Sequence, residues 1–126
     1  MAESLYDRLG GVYAISGAVD ILVDRLFENA NVKANPVVNT HHSDPANIPG
    51  YRFLVTAWSI QAAGGPQCYP GLDMVKAHDG MKLNDHDFDA VATEIVATLN
   101  YCGVPDAETT EFMEIIESFR GEVVQA

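Results

Sequence analysis

The chain has 126 residues, 48% of them hydrophobic, which is enough for one compact domain over residues 1–126 and too little for two. Its 18 acidic side chains against 7 basic ones give a formal charge of -11, a field that repels phosphate backbones and anionic lipid. Nucleic acid and the membrane surface are thereby excluded as partners. No apolar run approaches the roughly 20 residues that span a bilayer, and the start, Met1-Ala2-Glu3-Ser4, has neither the basic residues nor the apolar stretch of a signal peptide. Cys68 and Cys102 lack CxxC spacing and read as free thiols of a reducing cytosol, each a small buried hydrophobe. The expected location is cytoplasmic.

Punctuation by Gly, Pro and Asn divides the chain into five helical pieces. Ser4 can cap a short first helix, Leu5 to Leu9, which Gly10-Gly11 stops. Val12, Ile15, Val19, Leu22, Val23, Leu26 and Phe27 then recur at helical steps on a second helix running to about Asn29. Residues 30–50, with three prolines and four asparagines, read as a loop with at most short turns. A third helix starts near Pro49, because proline suits a first helical turn, and runs to about Ala63, ended by Gly64-Gly65-Pro66. Leu72 to His78 forms a short helix closed by Gly80. Asn84, with Asp87 three residues on, starts the next helix, and its stripe is Phe88, Val91, Ala92, Ile95, Val96 and Leu99. After Gly103-Val104-Pro105, Asp106 can cap a last helix carrying Phe112, Ile115, Ile116, Phe119 and Val123. No segment alternates like a strand, so the chain reads as all-α.

Of the four histidines, His78 ends a short helix beside apolar residues that could line a flat cofactor, and a neutral imidazole is a good iron or zinc ligand. Spacing alone leaves it equally open as a solvated or core histidine. His41 and His42 are adjacent in the polar loop, a poor two-toothed metal clip, and read as exposed. His86, between Asp85 and Asp87, faces water. HExxH, zinc, P-loop, dinucleotide and GxSxG signatures are all missing from the sequence. The many carboxylates form a solvated face.

Several blocks in order resemble the group I truncated haemoglobins. They are Leu5-Tyr6-Asp7-Arg8-Leu9-Gly10-Gly11, then the junction Gly64-Gly65-Pro66-Gln67-Cys68-Tyr69-Pro70-Gly71, then Asp73-Met74 through Ala77-His78. His86-Asp87-Phe88-Asp89-Ala90-Val91 and Gly103-Val104-Pro105 follow. The likeness runs nearly end to end, interrupted only at about residues 28–50. It implies a shortened globin, a two-over-two helical sandwich around a haem, with haem b (iron protoporphyrin IX) held by His78 as the metal ligand. It also implies that Tyr69, Met74, Leu83, Phe88, Val91 and Ile116 contact the cofactor, with ordinary core packing as the overlapping alternative.

The distal side departs from the family. Where relatives place a hydrogen-bonding tyrosine on the second helix, the resemblance aligns Leu22, which cannot donate. Where they carry a Phe-Phe pair, this chain reads Asn35-Pro36-Val37-Val38. The third helix offers Tyr51, Val55, Trp58 and Ser59 to the ligand or the haem edge, so Tyr51 and Val55 join the cofactor-binding set. Tyr51 is either a replacement donor or a gate at the solvent edge. As an alternative to exposure, His41 or His42 could fold in as a sixth iron ligand.

The resemblance implies reversible binding of a diatomic gas (oxygen, nitric oxide or carbon monoxide) in oxygen binding or delivery. Nitric-oxide dioxygenation with an electron-donating reductase, or a peroxidase-like activity, stands second. A haem-free sensor or interaction module, favoured by the missing Phe pair, stands third. The expected assembly is a monomer or weak dimer.

Overall fold

The computed structural model describes residues 3–126. Met1 and Ala2, part of the start read above for a signal peptide, lie outside the described residues. Eight helices follow one another: α1 Leu5–Arg8, α2 Gly11–Glu28, α3 Pro36–His42, α4 Ile48–Ala62, α5 Met74–Ala77, α6 Asp85–Tyr101, α7 Asp106–Ser118 and α8 Arg120–Val123. No strand occurs among the described residues. No helix there is long and apolar enough to cross a membrane.

The helix starts show why these segments wind. Ser4 sits in extended backbone and its hydroxyl accepts from Asp7 N, capping α1. Asn84 and Asp87 exchange side-chain and backbone bonds in a full capping box at the head of α6. Asp106, read as the cap of the last helix, is instead its first helical residue, behind Pro105 in extended backbone. There Asp106 and Glu108 place negative charge in the first turn, where the helix dipole favours it. That last helix also breaks at Phe119, giving α7 and the short α8.

Residues 30–50 are not a loop. They hold α3, preceded by a 3-10 turn at Val32–Ala34 and followed by another at Pro45–Asn47. The three prolines each stand in a first helical turn, where a missing N–H goes unmissed. Asn35 caps α3 by accepting from the Val37 and Val38 amides, while its own amide group donates to Met81 O at 3.0 Å. The cap therefore also ties α3 to the segment before α6.

Helix α2 is the hub, packing on α4 along one face and on α6 along another, and α6 pairs with α7. The result is two helix pairs, one over the other. The main core gathers Leu22 and Leu26 of α2, Phe88, Ile95 and Leu99 of α6, and Phe112 of α7. A second cluster joins Ile15, Val19, Val23 and Phe27 of α2 to Ile60 of α4.

All four arginines bridge helices: Arg8 to Glu108 and Glu111, Arg25 to Glu94, Arg52 to Asp20 and Asp24, Arg120 to Asp85, Asp89 and Glu117. In so acidic a chain each guanidinium screens carboxylates that would otherwise repel. Arg120 also lies 4.3 Å over the Phe88 ring. Cys68 and Cys102 are free but exposed, not buried as expected, because both lie where helices have just ended.

Candidate functional site

The proximal wall is built from short-range bonds. In the junction after α4, a Cβ on Gly65 would lie 2.5 Å from the Tyr6 ring, and one on Gly71 would lie 2.4 Å from the Tyr69 hydroxyl oxygen. Only glycine lets those two rings close over the backbone. Tyr69 donates from its hydroxyl to Leu72 O at 2.6 Å, and its amide donates to Gln61 Oε1. It therefore braces the turn and stands outside the core cluster.

Asp73 then caps α5 through Lys76 N. One turn on, His78 Nδ1 lies 2.8 Å from Met74 O. A carbonyl can only accept, so Nδ1 carries a proton, and in the neutral ring the lone pair is then on Nε2. That is the state in which an imidazole ligates a metal, held in one tautomer by its other nitrogen. The tail supports this segment from behind: Gln125 Nε2 donates to Val75 O at 2.9 Å, and the Gln125 and Ala126 amides reach Leu83 O.

His78 is itself half-buried, and the apolar residues singled out from sequence belong to the main core or pack against it. Leu83 and Phe88 are in the main core, with Met74, Val91 and Ile116 half-buried against it. From α4, Tyr51, Val55 and Trp58, also half-buried, pack against the same core, with Trp58 edge-on to Phe119 at 5.5 Å. Ser59 and Leu22 are buried elsewhere, lining an apolar cavity of about 510 Å³ with Ile95, Leu99 and Phe112. Val23, one residue beyond Leu22, is fully buried in the cluster that Tyr51 and Val55 pack against. Neither position carries a hydroxyl.

The wall beyond α4 holds what sequence reasoning missed. His42 is buried, at 7% exposure, and its ring stacks on Phe27 at 4.2 Å and 10°. His41 and His42 both meet the Tyr51 ring, at 5.5 and 4.9 Å between centroids. The two histidines are also joined, Nδ1 to Nδ1, at 2.8 Å. Burial first, then the neighbouring His41 and Lys33, lowers His42 to about 4, so it is neutral at pH 7. Burial pushes the Tyr51 phenol up to about 12. His86 is exposed, as read. The Asn35-Pro36 pair, a cap residue followed by proline, was the signal that α3 exists.

A family model described as Bacterial-like globin matches residues 4–125. The chain is a group I truncated globin. It is 30% identical to the group 1 truncated haemoglobin of Tetrahymena pyriformis over 97% of this chain and 95% of that one. The relative from Synechocystis is 33% identical, over 82% of each chain. Among solved structures, the Fe(III) form of the Tetrahymena pyriformis truncated haemoglobin superposes with a TM-score of 0.85 at 28% identity, over 97% of this chain and 98% of that one. The cyanomet 2/2 haemoglobin from Synechococcus, with covalently attached heme, gives 0.82 at 25% identity, over 98% and 100%. The truncated globin thus keeps its family's helical sandwich while Pro36–His42 forms a helix whose last residue, His42, is buried.

Proposed function

We infer that this truncated globin binds haem b through His78 and reversibly holds a diatomic gas, oxygen foremost, on the side walled by Tyr51 and Val55. The observation that carries the reading is the His78 tautomer. Its Nδ1–H is committed to Met74 O at 2.8 Å, which leaves Nε2 as a ready donor to iron. Among the described residues no three His, Cys, Asp or Glu side chains converge on a metal site, so a closed zinc site has no ligands here. A haem needs one proximal imidazole and apolar walls, and Met74, Phe88, Val91, Ile116 and Trp58 are walls of that kind. The Cys-x-x-Cys-His motif of thioether attachment is missing from the sequence, which favours haem b.

When bound, haem iron supplies the gas-ligating chemistry; the protein sets its polarity and access. On the distal wall Val55, and Val23 behind it, exclude water, while Tyr51 has a hydroxyl with no hydrogen-bond partner among the described residues. A phenol whose ionisation is pushed up to about 12 stays a donor throughout the physiological range. The apolar cavity beside Leu22 offers small neutral gases a space that ions do not enter. Purification of the coloured protein and of His78→Ala tests the reading. Loss of the Soret band in the variant is expected; an unchanged band, or a colourless wild type that ignores added hemin, removes it.

A further inference from the structure

The geometry points to the His41–His42 pair as a proton relay, joining solvent to the distal wall beside Tyr51. This inference rests on the haem reading above and adds to it a route for protons. Two imidazoles whose Nδ1 atoms lie 2.8 Å apart share a single proton between those atoms. If His42 holds it, then His41 carries its own proton on Nε2, and His42 Nε2 is a bare acceptor. If His41 holds it, the assignment is reversed and His42 Nε2 becomes the donor.

Every transfer therefore runs through both rings. A proton arriving at His42 Nε2 forms an N–H there, the Nδ1–H of His42 passes to Nδ1 of His41, and the Nε2–H of His41 breaks to solvent. One proton enters and one leaves, so the pair stays neutral. The reverse sequence delivers a proton inward.

Placement suits this role. His42 is buried between Phe27 and Tyr51, whereas His41 is only half-buried and can exchange with water. The pair is also held in register. Asn47 donates from its side chain to His41 O at 2.8 Å, pinning the end of α3 to the start of α4. Burial and the nearby Lys33 charge keep His42 neutral, as the shared-proton geometry requires. Had both rings been charged, two Nδ1–H donors would face each other and the bond would break.

The test uses the haem-loaded protein, with loading scored first by its Soret band. Nitrogen NMR of the ferrous carbonmonoxy form at pH 7 reads the tautomers without any variant. One ring protonated at Nδ1 and the other at Nε2 is expected; the same tautomer on both rings overturns the relay. Hydrogen cyanide association with the ferric protein then reads the transfer. The probe's C–H breaks, its electron pair stays on carbon, and the proton must be accepted inside the pocket. His42→Phe keeps the stack on Phe27, and His41→Phe changes only the outer ring.

Both variants should slow association by roughly tenfold or more, the low end of general acid–base effects, and lose the solvent isotope effect. An unchanged rate in His41→Phe overturns the relay, because His42 would then act alone. A low-spin ferric spectrum that turns high-spin in His42→Phe also overturns it, since that ring would be an iron ligand. A protein without a Soret band removes the haem reading and the relay together; a Soret band with unaltered kinetics removes only the relay.

Discussion

Replacing His42 with phenylalanine removes an imidazole that the fold keeps neutral, and acid stability reads that neutrality directly. The folded protein lowers His42 from 6.5 to about 4, chiefly by burial beside Phe27, then by His41 and Lys33. A histidine depressed in this way binds fewer protons folded than unfolded. The stability tied to its neutral form is therefore complete above pH 6.5, declines as pH falls through that value, and is gone below about 4. At 1.36 kcal/mol per pH unit, the interval costs about 3 kcal/mol at most. Phenylalanine has nearly the same ring shape and keeps the stack, so packing changes little. Denaturant unfolding of the haem-loaded wild type and His42→Phe, followed by far-UV circular dichroism from pH 7 to pH 4, measures the difference. The wild type should lose up to about 3 kcal/mol more than the variant over that range. Parallel curves would show that His42 is solvated, and the reasoning from its burial would fail.

Other consequences follow from the same geometry. Gly65→Ala forces a methyl to within 2.5 Å of the Tyr6 ring and should destabilise the fold by about 1–3 kcal/mol, read as a lowered denaturation midpoint; a neutral result would mean that α1 swings away freely. Tyr51→Phe should raise the oxygen off-rate roughly ten- to hundred-fold if its hydroxyl donates to the ligand, since such a bond contributes about 1.5 to 3 kcal/mol. An unchanged off-rate in stopped-flow would make Tyr51 a gate. Removal of haem takes away several hundred Å² of apolar contact, on the order of 10 kcal/mol at about 25 cal/mol per Å². The apoprotein should melt more than about 10 °C below the holoprotein, and equal midpoints by calorimetry would refute a shared core.

The turns around α5 and the head of α6 were legible in the sequence because they are made of neighbours. Asp73 caps the turn that ends in His78, Asn84 and Asp87 close a capping box three residues apart, and Tyr69 folds over Gly71 two residues on. Each is a bond within one turn of chain, so local patterns foretell it. The apolar stripes of α2 and α6 were equally plain, since helical spacing alone assigns their buried faces. Residues 30–50 failed as a reading because prolines were counted as breakers without asking where in a turn each stood. Burial of His42 was read only as an alternative to exposure, because local pattern could not decide it. It depends on Phe27 of α2 and Tyr51 of α4 meeting one ring from two sides, a contact spanning separate helices.

That contrast bears on how one fold accommodates different gas chemistry. The His78 imidazole is held by a carbonyl in its own turn, so its placement depends little on contacts from elsewhere in the chain. The opposite wall is assembled from three helices, and here its α2 face is wholly apolar at both Leu22 and Val23. Polarity has instead moved to α3 and α4, into a cluster of two imidazoles and a phenol around Phe27. A lone tyrosine on α2 would supply a single hydroxyl to that wall. Two imidazoles that share one proton extend the path from the wall to solvent, and burial keeps the inner ring, His42, uncharged. The length of residues 35–42 is what makes this reachable: two turns of helix carry His42 back from the Asn35 cap onto the α2–α4 face. Shortening α3 by a turn should therefore leave haem binding through His78 intact while removing the cluster as a unit.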